Sequence, residues 1–248
     1  MKRWTDDERR EAIGLFLQLP FGRIHSRNPV IIRAAERMCR TPASVAMKVL
    51  NMASLSPELR ASGRAGLANA SADDRRIWNE VMLGEEEMMA RLAEHAEADG
   101  LGGEESDAER PEVQTEVMRT VRQRRGQRFF RRSVLTNYDG TCCISGLRDP
   151  RLLVASHIVP WRLNARIRLS PKNGLCLSAL HDRLFDIGII TVYEDGRIGV
   201  SRSFIDNITD DYSVRNIHML QGQVIRRGRK FVPEAEYLAY HNVHVFQD

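Results

Sequence analysis

Apolar residues recur at helical spacing through the first 93 residues, and strand-like and turn-bounded runs take over in the second half. Ile13, Phe16 and Leu17 form one stripe, opened by the capping-box pair Thr5 and Glu8 and stopped at Pro20. A second helix is expected from Pro29 to about Cys39, with Ile31, Ile32, Ala35 and Met38 turned inward. A third opens at Thr41-Pro42, an N-cap followed by proline at the first helical position, and carries Val45, Val49 and Met52. Ser71 through Ala93 reads as one longer helix bearing Ile77, Trp78, Val81 and Met82.

From Glu94 to Pro111 the periodicity stops and Gly100, Gly102 and Gly103 fall among acidic residues, the pattern of a flexible tether. A basic helix is expected over about Glu116 to Leu135, with Phe129, Phe130, Val134 and Leu135 available to a core. Next comes an apolar strand, Leu153 to Ile158, which contains His157. An Asn-Gly turn is expected at Asn173-Gly174, then a short helix that opens with His181 and Asp182. Ile189–Tyr193 and Arg197–Val200, joined through Asp195-Gly196, predict a β-hairpin, and the tail holds a helix over about Pro233 to Tyr240.

The chain has 248 residues, 42% hydrophobic and 28% charged, which suits one good core or two modest ones. No apolar run approaches the ~20 residues of a membrane helix, and no leader precedes the first amphipathic segment, so a cytoplasmic protein with no membrane partner is expected. The net charge of +4 is mildly basic, but its distribution is uneven. Acids crowd Gly84 to Glu116, whereas Arg119, Arg122, Arg124, Arg125, Arg128, Arg131 and Arg132 follow at once, and such a block suits a phosphate-tracking surface. Cys39, Cys142, Cys143 and Cys176 lack paired spacings, so neither a disulfide framework nor a structural zinc is expected, and the thiols read as buried or idle.

Two resemblances organise these pieces. Residues 4–53, with a leading Trp4 and a third helix that opens Arg40-Thr41-Pro42-Ala43-Ser44, look like a Myb or SANT-type helix-turn-helix unit. That resemblance would put Ser44, Met47, Lys48 and Asn51 on the outer face of a recognition helix, with Lys48 and Asn51 in reach of DNA. Residues from about Arg128 to Phe246 resemble an HNH endonuclease of the ββα-metal type. The motifs are Cys143-Ile144-Ser145-Gly146, Ala155-Ser156-His157-Ile158-Val159-Pro160-Trp161, Asn173-Gly174-Leu175 and His181-Asp182-Arg183-Leu184-Phe185-Asp186-Ile187-Gly188. The expected class is α+β: a helical DNA-binding domain over 1–95, an acidic linker over 96–115 and a nuclease domain over 116–248.

The HNH resemblance implies a phosphodiester hydrolase in which His157 is the general base, Asn173 ties the loop and orients that base, and His181 binds a divalent ion, Mg²⁺ foremost with Mn²⁺ as a substitute. Many relatives carry an acidic or histidine ligand just before the base, but here that residue is Ser156, which is expected to complete the shell with water and substrate phosphate. Arg124, Arg125, Arg128 and Arg131 are expected to bind DNA. A homodimer on DNA would allow two strands to be cut, and restriction or anti-phage defence is the role that the resemblance suggests. The competing expectation, prompted by Ser156, is a DNA-binding regulatory protein whose nuclease-like domain is inactive.

Overall fold

The computed structural model describes residues 3–63, 67, 69–101 and 114–248, with 114–120 by their backbone alone. Among these residues six helices build the first unit: α1 Asp6–Gln18, α2 Pro29–Arg37, α3 Pro42–Ala53, α4 Pro57–Ala61, α5 Ala72–Met82 and α6 Glu86–Ala96. Thr5 and Glu8 form the expected capping box, and the Thr41 hydroxyl accepts from Ser44 N at 3.2 Å, with Pro42 in the first turn. Ile13, Phe16, Leu17, Ile31, Met52 and Ile77 are wholly buried among these helices.

The helix expected over 71–93 is two. Gly84, at φ +72°, separates α5 from α6, and a side chain there would run into Ser170. Beyond α6, residues 97–101 still pack with the helical unit, where buried Asp99 meets Arg37 at 2.8 Å. The core of the expected linker, 102–113, lies outside the described residues.

Helix α7, Gln114–Asn137, is shared between both halves. Phe129 enters the helical core, whereas its neighbour Phe130, about 100° around the helix, enters the second core with Val134. Other contacts bind the halves. Gln18 Nε2 donates to Phe129 O at 2.9 Å, and Lys230, 2% exposed, reaches the last carbonyls of α1, donating to Leu19 O at 2.7 Å, Leu17 O at 3.2 Å and Phe16 O. Orphan carbonyls at a helix C-terminus are answered best by a cationic donor.

The second unit is built on an antiparallel ribbon of β1 Leu153–His157 and β2 Gly174–Ser178, followed by α8 Ala179–Asp186. In its register Leu153 faces Ser178 and His157 faces Gly174. A hairpin of β3 Ile190–Val192 and β4 Ile198–Val200 follows, as the alternation around Asp195-Gly196 predicts. Short helices α9 Arg202–Asp206 and α10 Asp211–Asn216 lead to α11 Ala235–His244, which packs on β3. Leu153, Ile158, Leu175, Leu177, Phe185, Ile190 and Val192 form the centre of this core.

Candidate active site

Gly174 was expected in a turn, but its backbone is extended at φ −137° and it begins β2. A Cβ there would lie 2.5 Å from Val134 and 2.8 Å from Phe130, so the glycine is needed for the close approach of α7 to the ribbon. That approach builds the seat of His157. Its imidazole stacks on Phe130 at 4.0 Å and 9°, and Trp161 meets it edge-on at 5.3 Å. His157 Nε2 lies 2.9 Å from Arg168 O. A carbonyl can only accept, so Nε2 carries the proton and the lone pair of the neutral ring belongs to Nδ1, which has no hydrogen-bond partner among the described residues. Burial lowers the pKa of His157 and favours that neutral form.

Arg168 is itself held. Its Nε donates to Glu86 of α6 at 2.9 Å, and its guanidinium lies 5.0 Å from the Trp161 ring. Glu86 N also donates to Arg166 O at 2.9 Å, so the helical unit grips the loop that sets the histidine. Asn173, wholly buried, braces the same loop: Oδ1 accepts from Val159 N at 2.8 Å and Nδ2 donates to Val159 O at 3.1 Å.

The structure brings His157 and Asn173 together at one end of the ribbon and places the start of α8 at the other. His181 N donates to Ser178 Oγ, and Ser178 pairs with Leu153, four residues or about 13 Å along β1 from His157. His181 Nδ1 lies 3.0 Å from Ser178 Oγ and 3.5 Å from Cys142 Sγ. Cys142 is therefore no idle thiol. Burial works to raise it, but His181 and the Ser145 hydrogen bonds outweigh burial and bring its pKa down to about 6.

Ser156 meets a different residue of α8 from the one expected. Successive strand residues face opposite sides, so His157 turns to α7 and Ser156 turns to α8. Asp182 lies close enough for the Ser156 hydroxyl to favour its carboxylate, yet Ser156 Oγ, in a residue 3% exposed, has no well-formed hydrogen bond among the described residues. Burial raises the pKa of Asp182, and burial together with the charge of Asp182 raises that of Asp186 one turn on. An orphaned hydroxyl beside two mutually repelling carboxylates is the environment that a hard cation relieves, so these residues fit a divalent ion. No three His, Cys, Asp or Glu side chains converge among the described residues. The signal for Asp182 was its i, i+4 relation to Asp186, which aligns two carboxylates on one helical face.

The expected DNA contacts are largely engaged within the molecule. Arg125 and Arg128 pair with Glu97, the latter at 3.0 Å. Arg131 donates to Leu153 O at 2.9 Å and Pro150 O at 3.2 Å, and Arg124 is half-buried with a contact of its own. Lys48 is not on an outer face: it is buried, with Nζ 2.9 and 3.0 Å from the carboxylate oxygens of Asp74 on α5. Asn51 is half-buried with an unpartnered Oδ1, and of this helix's expected reading face Met47 is the exposed residue.

Residues 142–193, which hold β1, β2, α8 and β3, match the family model for an HNH endonuclease. No curated protein matches the chain. The chain thus carries an HNH domain, in a family generally dependent on divalent metal, inside an α+β fold.

Proposed function

We propose that this HNH domain hydrolyses phosphodiester bonds of DNA, with His157 as the base that activates water. The observation that carries the reading is the division of labour on one imidazole: Nε2 is tied to Arg168 O, and Nδ1 keeps its lone pair with no hydrogen-bond partner among the described residues. Nδ1 takes a proton from water, the resulting hydroxide bonds to phosphorus, and the P–O3′ bond breaks to leave a 5′ phosphate and a 3′ hydroxyl. The proton on the departing 3′ oxygen comes from solvent. Asn173 holds the loop rigid, and Arg168 and Trp161 keep the ring from turning.

Ser156 and Asp182, with Asp186 one turn away, are the residues that would hold Mg²⁺ or Mn²⁺. When bound, the ion supplies positive charge to the phosphoryl and leaving oxygens. His181, expected as the ligand, is instead assigned the orientation of α8 through Ser178 and Cys142. One such site cuts one strand, so cleavage of a duplex calls for two protomers or two visits. A role in restriction or defence follows only from the company that HNH domains keep, and cleavage of differently modified DNAs with mapped ends addresses it.

The test is supercoiled plasmid with Mg²⁺ or Mn²⁺, comparing the natural chain with His157→Ala. Metal-dependent cleavage that vanishes in the variant supports the reading. Equal cleavage by both proteins, or none with either ion, refutes it.

A further inference from the structure

The turn after α7, the loop before β1 and segment 226–232 enclose a cleft of about 600 Å³ against α4. Among the described residues four arginines line it, Arg148, Arg226, Arg227 and Arg229, against two carboxylates, Glu58 and Asp139. Arg229 Nε is paired with Asp139 at 2.9 Å, and Arg148 Nε donates to Thr141 Oγ1 at 3.3 Å. Glu58 accepts from the Ser56 hydroxyl at 3.1 Å. Arg226 and Arg227 are exposed, and neither has an ion pair among the described residues.

Their backbone is stiff. Arg226 N donates to Cys143 O and Arg229 N to Asn137 O, both at 2.8 Å. Asn137 Oδ1 accepts from Lys230 N at 2.8 Å, and the Lys230 ammonium is anchored in α1. Guanidinium groups carried on a rigid segment, with charge left over, match phosphate oxygens in geometry and sign. Among the described residues Tyr138 is the single aromatic residue of the lining, and at 5% exposed it offers no open ring face to the base of a free nucleotide.

We infer that this cleft receives backbone phosphates of the DNA, an inference that rests on the DNA reading above. It assigns the phosphate-tracking role to a segment distant in sequence from Arg125, Arg128 and Arg131 of α7, whose guanidinium groups are engaged with Glu97 or with main-chain carbonyls. The cleft lies at the α7 C-terminus, whereas Phe130 and His157 lie two turns earlier along that helix. A duplex cut at His157 would thus be gripped at a second point.

The experiment measures binding of the full chain to a labelled duplex by fluorescence anisotropy, in chelator, from 50 to 200 mM salt. Arg226→Ala with Arg227→Ala should weaken binding on the order of tenfold and reduce the slope of log affinity against log salt by about 2. Arg226→Lys with Arg227→Lys should keep the slope, and melting curves should show all three proteins folded. An unchanged slope in the alanine variant overturns the inference, as does tight binding of pyrophosphate to the cleft with DNA affinity unaffected. Because no step requires cleavage, a natural chain that cleaves plasmid while the slope stays unchanged sinks the cleft alone. A chain that shows the slope change and never cleaves sinks the catalytic reading alone.

Discussion

His157 and His241 sit in closely matched seats in different regions of the second unit. Each lies flat on a phenylalanine, His157 on Phe130 at 4.0 Å and His241 on Phe185 at 3.6 Å, and each has Nε2 on a main-chain oxygen, that of Arg168 or of Phe185. They part at the other nitrogen. Thr191 Oγ1 lies 2.9 Å from His241 Nδ1, in a residue 1% exposed, while Nδ1 of half-buried His157 has no hydrogen-bond partner among the described residues. Stacking and a carbonyl bond fix a histidine's tautomer and orientation, and whether it can also move a proton depends on the nitrogen left over.

The sharpest way to break this comparison is to delete each ring. His157→Ala should reduce plasmid cleavage by about 10²- to 10⁴-fold, the usual yield of a general base, and leave the melting temperature nearly unchanged. His241→Ala should do the reverse, with cleavage per folded molecule preserved. Equal losses of cleavage would erase the distinction. Because burial holds the pKa of His157 below its ordinary 6.5, the acid limb of the cleavage rate should lie below pH 6.5.

Neighbouring residues of α8 sharpen the same point. Asp182→Asn should weaken Mn²⁺ binding, read by titration calorimetry, on the order of 10- to 100-fold, the range that even an outer-shell partner commands. His181→Gln should leave affinity close to natural, and a larger loss there than in Asp182→Asn would return the ion to the histidine.

A smaller effect lies in pH. Burial lowers the pKa of His241 to about 4 from 6.5, so between those values the unfolded chain binds more protons than the folded one. The stability it contributes is complete above pH 6.5 and drains away as pH falls toward about 4, and chemical denaturation across that range should show a decline that His241→Gln lacks. The smallest effect expected is at Glu97. Its pairs with Arg125 and Arg128 are partly exposed, so Glu97→Ala should cost no more than about 1 kcal/mol in the same measurement.

What was legible in the sequence is what forms locally. The capping box at Thr5 and Glu8, the Thr41-Pro42 start of α3 and the Asp195-Gly196 hairpin each depend on residues within a few positions, and each is present. So are the strand that carries His157 and the helix that carries His181 and Asp182. What was not legible depends on partners far along the chain. Gly84 breaks a helix against Ser170, Lys48 turns inward to Asp74, and Gly174 is required by Phe130 and Val134 rather than by a turn. The proposed preference for Asp182 over His181 rests on the rotation of α8, whose Leu184 and Phe185 pack into the core. A one-residue difference on a helix is a change of about 100° in direction, and spacing alone does not resolve it.

The core of the helical unit is completed from outside itself, by Phe129, Leu169 and Phe231, and Lys230 closes the end of its first helix. Severed near residue 95, those helices would show water an apolar wound where three side chains had been, along with carbonyls bereft of their donor. The two units are thus not beads on a string that evolution can restring at will. Any new property has to arise by altering surfaces on a body whose two parts already depend on one another to stand.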